Sequence, residues 1–185
     1  MDFIEHQQEL TTLVDNILSE AERQGADQAE VSASMEQGLG VSVRRGELEN
    51  LEFNQDRGFG ITLYVGKRKG SASTTDSSPD AIRATVAAAK GIARHTEEDP
   101  YSGLADALLM PSEAIDLDLY HPWDIEPEQA TALAVECEAA GLAVDKKLTK
   151  SDGAQISTQQ ALHIYGNSHG FIGAYPSTRH SMSCV

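Results

Sequence analysis

The sequence contains no lysine or arginine from His95 to Asp145, a stretch that holds 13 aspartate and glutamate residues. Most of the formal net charge of -15 arises there. Affinity for nucleic acid depends chiefly on Lys and Arg side chains that contact phosphates. The charge distribution therefore argues against direct nucleic-acid binding. It favours either a solvated acidic surface or a docking face for a basic partner.

Long apolar runs and paired cysteines are also missing. No run of 18 apolar residues occurs, and the first residues lack the basic and then apolar order of a signal peptide. The two cysteines, Cys137 and Cys184, lie far apart and form no CxxC pair. We therefore expect a cytoplasmic protein that contacts no membrane and keeps both thiols reduced.

Three helices are predicted, with a core built from aliphatic side chains because aromatic residues make up only 5% of the chain. Apolar residues at helical spacing from Leu10 to Ala21 predict the first helix, with a capping box from Asp2 and Glu5 at its start and Gly25 as its stop. Ser78 before Pro79 predicts the N-cap of the second helix. The third begins near Pro127. The predicted buried residues of the last two helices are Ile82, Val86, Ala89, Ala93, Ala130, Leu133, Ala134, Cys137 and Ala140.

The remaining sequence predicts short, largely antiparallel strands. Partial alternation places them at 29–36, 40–45 and 47–54, broken by glycines, and a hairpin at 59–65 and 71–75 has a basic tip at 66–70. The tail is β-rich, with strands at 154–158, 161–165, 170–175 and 179–185. The expected fold class is α+β. We expect an amino-terminal domain at 1–145 with an acidic connection at 95–126, and a β-rich segment at 146–185.

Three stretches together resemble the TldD/PmbA family, once called modulators of DNA gyrase. Gly58–Asp76, with the sequence GFGITLYVGKRKGSASTTD, is similar to the family's Gly-rich hairpin leading into its second helix. Ala26–Val31 (ADQAEV) and Ile164–Phe171 (IYGNSHGF) match in order and spacing. The family's chains are more than twice as long. The resemblance therefore implies a fragment of a longer two-domain chain, in which 146–185 begins or leads to a carboxy-terminal domain.

The resemblance implies a heterodimeric zinc metalloprotease that cleaves small or unfolded peptides, including peptide antibiotic precursors and antitoxins. In that pairing the TldD-like subunit carries the zinc on an HExxxH helix. None of the six histidines in this sequence is followed by glutamate, so neither HExxxH nor HExxH is present. This absence agrees with the PmbA (TldE) branch, and no catalytic, cofactor-binding or metal-binding residue is assigned.

Two residue groups are candidate sites in their own right. A metal site at His163, His169 and His180 is a weaker interpretation than surface or turn histidines. A thiol hydrolase at Cys137 and His121 is weaker than a small apolar cysteine on a buried helix stripe.

The leading hypothesis is a non-catalytic subunit, inactive alone, that helps to enclose the peptide channel of its TldD-like partner. Strand-forming segments such as 58–65 are candidates for holding an extended peptide through main-chain hydrogen bonds. The alternative hypothesis is an acidic binding protein that modulates DNA gyrase, or another basic partner, without proteolysis.

Overall fold

The computed structural model describes residues 3–111 and 114–185. In chain order the elements are α1 (Phe3–Arg23), β1 (Gln28–Arg44), β2 (Glu47–Val65), β3 (Arg68–Thr74), α2 (Pro79–His95), a 3-10 turn (Ala107–Leu109), α3 (Pro127–Ala143), β4 (Ala154–Asn167) and β5 (Ile172–Cys184). The five strands form one antiparallel sheet in the order β3-β2-β1-β4-β5. The predicted α+β class is confirmed. No helix in the described part of the chain is both long and apolar enough to cross a membrane.

The first two helices agree with the sequence analysis. Leu10, Val14, Ile17 and Ala21 are all fully buried along α1. In α2 the hydroxyl of Ser78 accepts a hydrogen bond from the N–H of Ala81 at 3.3 Å, which makes Ser78 the predicted N-cap. The buried residues of α2 are the four predicted ones. The capping box assigned to Asp2 and Glu5 depends on side chains outside the described part.

The strands are longer than predicted, and this part of the sequence analysis was wrong. Gly38 and Gly40 lie inside the continuous strand β1, and the tail folds into two long strands instead of four short ones. A Cβ atom on Gly38 would lie 2.8 Å from the carbonyl oxygen of Thr158. The missing side chain therefore allows a close approach within the sheet and does not end the strand.

The third helix buries two of its predicted residues, Ala130 and Ala134, but not Leu133, Cys137 or Ala140. Ala130, Ala134 and Glu138 face inward, whereas Leu133 is 38% exposed and Cys137 is half-buried. The buried face of α3 includes the carboxylate of Glu138, because this side chain accepts hydrogen bonds from the turn between β1 and β2. That contact is described below.

Two compact units divide the chain, and each is built from three separate segments. Unit 1 contains 1–35, 57–117 and 162–175, and unit 2 contains 36–56, 118–161 and 176–185. The chain passes from one unit to the other inside β1, β2, β4 and β5. Each long strand therefore contributes to both units. The domain bounds predicted from the sequence, 1–145 and 146–185, stay a prediction.

Each unit has its own apolar core. In unit 1, α1 and α2 pack over the sheet around Val31, Phe59, Ile61 and Leu63, all at most 1% exposed. In unit 2, the small residues Ala130 and Ala134 bring α3 close to Leu39, Val41, Val43 and Ile156. The core of unit 2 lacks aromatic side chains among the described residues.

Candidate functional site on the edge of strand β2

Strand β2 continues well beyond the strand that pairs with it on one side. β3 is the last strand of the sheet, and its pairing with β2 runs from Arg68 opposite Val65 to Thr74 opposite Phe59. Residues 47–56 of β2 extend past this pairing, and all ten are exposed. We call residues 47–56 the β2 edge. An uncovered edge offers main-chain N–H and C=O groups that can pair with another extended chain.

The segment that the sequence analysis proposed for main-chain peptide binding does not have a free edge. Residues 59–65 pair with β3 on one side, and β1 lies next to β2 on the other. Phe59, Ile61 and Leu63 are buried in the core of unit 1. The expectation for residues 58–65 was therefore wrong, and the part of β2 that β3 does not cover lies earlier in the same strand.

An aromatic pocket of about 320 Å³ opens beside the β2 edge within unit 2. Phe53 and Trp123 contribute its rings, Asp124 and Glu126 its carboxylates, and Leu39 part of its floor. Phe53 is 78% exposed and Trp123 is 37% exposed. No lysine or arginine lines the pocket. Its chemistry is that of exposed ring faces next to two negative charges.

Hydrogen bonds hold the wall of the aromatic pocket in place. The edge of the Trp123 ring meets His180, with ring centroids 5.7 Å apart and planes at 85°. Nε2 of His180 lies 2.8 Å from the carbonyl oxygen of His121, and Nδ1 lies 2.9 Å from the hydroxyl of Thr158. Because a carbonyl only accepts, Nε2 carries the proton in this arrangement. The ring against Trp123 is thus fixed from both sides.

A tyrosine buttresses the same region. The hydroxyl of Tyr120 donates to Oε1 of Gln160, which lines the pocket, at 3.0 Å. Burial, and then the negative charge of Asp124, raise the pKa of Tyr120. The neutral phenol therefore persists as a donor at physiological pH.

A polar groove of about 380 Å³ is also lined by the β2 edge. It contains the carboxylates of Glu36, Glu52 and Asp56, and Arg179 as a lining cation. Oε2 of Glu36 accepts a hydrogen bond of 2.6 Å from the side chain of Gln159. Phe53 lines the aromatic pocket, whereas its neighbours Glu52 and Asn54 line the groove. Since successive side chains in a strand point to opposite faces, the two cavities lie on opposite sides of β2.

Helix α3 supports the turn from which β2 starts. Arg45 and Gly46 form the two-residue turn between β1 and β2, with φ values of 57° and 76°. Two positive φ values are typical of a type I′ hairpin turn, in which glycine is favoured. The carboxylate of Glu138, only 2% exposed, accepts from the N–H of Gly46 at 2.8 Å and of Arg45 at 3.0 Å. These two donors hold the pKa of Glu138 below its usual value despite burial.

In unit 1 one carboxylate binds two tyrosines. Glu30 accepts hydrogen bonds from the hydroxyls of Tyr64, at 2.8 Å, and Tyr165, at 3.0 Å. Burial and the bond to Glu30 raise the pKa of Tyr64 to about 12. Burial is also the main cause that raises the pKa of Tyr165. Both phenols are neutral donors at pH 7 and serve a structural role.

The basic tip predicted at 66–70 is shorter than expected, because only Gly66 and Lys67 form the turn. Arg68 pairs with Glu98 at 3.5 Å, and Nζ of Lys67 donates to the carbonyl of Ser102 at 3.2 Å. These cations contact the start of the acidic connection in the same chain.

The candidate residues His121, His163, His169 and Cys137 each contact neighbouring groups of the protein. His163 stacks on Tyr175 with centroids 5.0 Å apart, and Nε2 of His169 lies 3.5 Å from the side-chain nitrogen of Gln28. Cys137 packs against the core of unit 2, and His121 contacts Asp118 and Thr178.

The described His, Cys, Asp and Glu side chains do not come together as a zinc site. Across 3–111 and 114–185, no group of three or more His, Cys, Asp or Glu side chains is placed to hold a metal ion. The donors that the structure describes do not fit a zinc centre. That the whole chain has no catalytic, cofactor or metal site stays a prediction.

Two family profiles match the chain. Residues 29–93 match the PmbA/TldA metallopeptidase domain 1, and residues 120–185 match the PmbA/TldA metallopeptidase central domain. Metalloprotease PmbA of Escherichia coli O157:H7 is 49% identical over 161 residues, which is 86% of this chain and 36% of that protein. A metalloprotease PmbA homolog of Haemophilus influenzae is 44% identical over 178 residues, covering 96% of this chain and 39% of the relative.

Solved structures share the fold at low sequence identity. A Bacteroides thetaiotaomicron protein, described as a candidate modulator of DNA gyrase, superposes with a TM-score of 0.81 at 21% identity, covering 94% of this chain and 40% of that one. TldE from Thermococcus kodakarensis superposes with a TM-score of 0.74 at 16% identity, covering 93% of this chain and 38% of that one. The chain thus spans little more than a third of the length of the curated relatives it matches.

Proposed function

Because this chain belongs to the PmbA/TldA metallopeptidase family, we propose that it is part of the non-catalytic subunit of a heterodimeric zinc metalloprotease. One observation carries the proposal. The chain matches the first and central family domains, yet none of its six histidines begins the HExxxH sequence of a zinc-binding helix. Within these 185 residues the family's domains are present and the HExxxH ligands are not. A TldD-like partner supplies the zinc in this scheme.

The substrates we propose are small, unfolded peptides. In such a pairing this subunit helps to enclose the substrate and to hold it where the partner's chemistry takes place. Positioning matters because a misplacement of about 1 Å can cost roughly a hundredfold in rate. We place the complex in the cytoplasm, which agrees with two free thiols at Cys137 and Cys184.

Reconstitution of the natural full-length pair tests this proposal. The full-length protein and a TldD-like chain are purified separately, and cleavage of an unstructured peptide is measured for each alone and for the mixture. We expect only the mixture to be active, and a chelator to abolish its activity. A TldD-like chain with its HExxxH histidines changed to alanine is the control for the source of the chemistry. Chelator-insensitive turnover by this protein alone would refute the proposal.

A second candidate, an acidic binding protein that acts on DNA gyrase or another basic partner, is favoured by the exposed side chains of the acidic connection. Tyr101, Leu108, Leu109 and Ile115 are 93%, 91%, 80% and 74% exposed in a stretch without lysine or arginine. Neutralising the acidic residues of 95–126 separates the two functions. Loss of a basic partner in a pull-down supports the second candidate, whereas retained binding with loss of peptide turnover supports the first.

A further inference from the structure

The β2 edge contains neither lysine nor proline, and the charges that it presents to a further strand are all negative. Natural edges are commonly protected by lysine, proline or a covering segment. Residues 47–56 read ELENLEFNQD and contain neither lysine nor proline, and every one of them is exposed. They include three apolar side chains, Leu48, Leu51 and Phe53, that are 46–78% exposed. This stretch has the main-chain and apolar groups that strand addition uses.

We propose that the β2 edge binds an extended peptide segment rich in Lys or Arg by adding it as a further strand, and that the aromatic pocket holds one of its cationic side chains. The edge carries Glu47, Glu49, Glu52 and Asp56 without a single basic residue. The occupant is therefore selected by charge as well as by backbone shape.

The two cavities beside the edge select the same side chains. An added strand directs alternate side chains to opposite faces, as β2 does. On one face they meet the aromatic pocket, whose lining contains two carboxylates and no lysine or arginine. On the other they meet the polar groove, where three carboxylates outnumber Arg179. Both faces thus favour a positively charged segment over an acidic one.

Ring faces strengthen this preference in the aromatic pocket. A cation within about 6 Å of a ring centroid is attracted by the negative face of the ring, and the aliphatic stem of Lys or Arg packs on the same surface. The pocket offers Phe53 and Trp123 for such contacts, and the ring of Trp123 meets His180. The start of α3 at Pro127 contributes a partial positive charge of about half a unit. The two full negative charges of Asp124 and Glu126 outweigh it.

A second copy of the chain fits this edge poorly. Antiparallel pairing of two β2 edges would bring two sets of acidic side chains together, and like charges opposite each other in a sheet are destabilising. The inference rests on the proposed function only for the choice of a peptide as occupant. It is tested by binding, without a catalytic partner, so its failure is distinguishable from a failure to reconstitute proteolysis.

Fluorescence anisotropy with a labelled twelve-residue peptide of alternating Lys and Val provides the test. We expect saturable binding to the chain, and at least tenfold weaker binding of the matched Glu and Val peptide. Two further peptides carry N-methyl groups on the backbone, one on the odd and one on the even residues. The peptide whose methyl groups replace the N–H hydrogens that face β2 should bind at least tenfold more weakly than the other one, because strand addition needs those main-chain hydrogen bonds.

Variants locate the site. Phe53→Ala and Asp124→Asn should each weaken the binding of the Lys and Val peptide several-fold or more. Tyr101→Ala, which removes another highly exposed aromatic ring, and Glu128→Gln, which removes another exposed carboxylate, should leave binding unchanged.

Amide exchange should slow within 47–56 when the peptide is present. Equal binding of both N-methylated peptides without such protection would mean charge attraction alone and would overturn the inference. Peptide-independent dimers that slow exchange at 47–56 would overturn it in favour of self-pairing.

Discussion

The backbone N–H of Gly46 donates a hydrogen bond of 2.8 Å to Oε2 of Glu138, although 92 residues separate the two in sequence. The acceptor is buried, and the donor belongs to the turn between β1 and β2. This contact, with its companion from Arg45, ties α3 to the beginning of the β2 edge. The position of the candidate site therefore depends on a carboxylate that does not line it.

Glu138→Gln should lower the melting temperature at pH 7 by roughly 5 °C, because the amide nitrogen would face a backbone donor and leave it unsatisfied. The pKa of Glu138 is lowered in the folded state, so its contribution is present above the unfolded carboxyl pKa and is lost as pH falls through the folded one. The difference from the natural protein should shrink in acid. Differential scanning fluorimetry across pH measures both effects. Glu136→Gln, exposed on the same helix, is the control, and an equal loss there would refute the assignment.

Gly70→Ala should destabilise the protein by about 2–3 kcal/mol through overpacking. A Cβ at Gly70 would overlap the carbonyl oxygen of Ala89 and the amide nitrogen of Ala93 in α2. Gly91→Ala is the matched control, since nothing lies within 4 Å of its added Cβ. It should stabilise α2 by about 1 kcal/mol through helix propensity. Urea unfolding of both variants measures this, and equal midpoints would show that β3 does not pack against α2 as described.

Tyr64→Phe should lower the free energy of unfolding by about 1 kcal/mol at pH 7, through loss of the bond to Glu30. The folded pKa of Tyr64 is raised to about 12 from 10.0, so the stabilisation is complete below pH 10 and disappears as pH rises toward 12. Urea unfolding between pH 7 and 11 should show the two proteins converging. Tyr101→Phe, at a ring that is 93% exposed, should behave like the natural protein. A constant gap at all pH values would contradict the raised pKa.

The purified chain should contain far less than one zinc ion per molecule, because its described residues offer no three-donor cluster. Mass spectrometry of the metal content after purification without chelator measures this. A stoichiometric zinc signal that survives dialysis, and that is lost on changing a histidine such as His180 to alanine, would show a site that the sequence did not reveal.

The helices were predictable because their signals are local. The apolar spacing around Val14 and the Ser78-Pro79 start depend on neighbours within one or two turns, and the structure reproduces both. The strand lengths were not predictable in the same way. A glycine such as Gly38 has a low strand propensity, but its place in β1 follows from the approach of Thr158, which lies 120 positions along the chain.

The candidate site could not be predicted from the sequence for a related reason. The sequence shows that residues 47–54 alternate, but it does not show that β3 is too short to cover them. Nor does it bring Phe53 next to Trp123. A glutamate at position 138 in an alanine-rich helix indicates a solvated side chain until the turn at Gly46 is placed beside it. The sequence does show four acidic residues in 47–56 without a lysine or arginine among them.

The passage of the chain between the two units within four strands constrains how the protein can be made. Residues 162–175, which complete unit 1, leave the ribosome only after residues 118–161 of unit 2. Neither unit can finish folding as a separate amino-terminal piece during translation, in contrast to chains whose domains fold one after another. Until β4 emerges, one side of β1 has no neighbour to pair with. We therefore expect unpaired strand edges on the nascent chain until β4 (Ala154–Asn167) has been made, and such edges are groups that chaperones for extended polypeptide can bind.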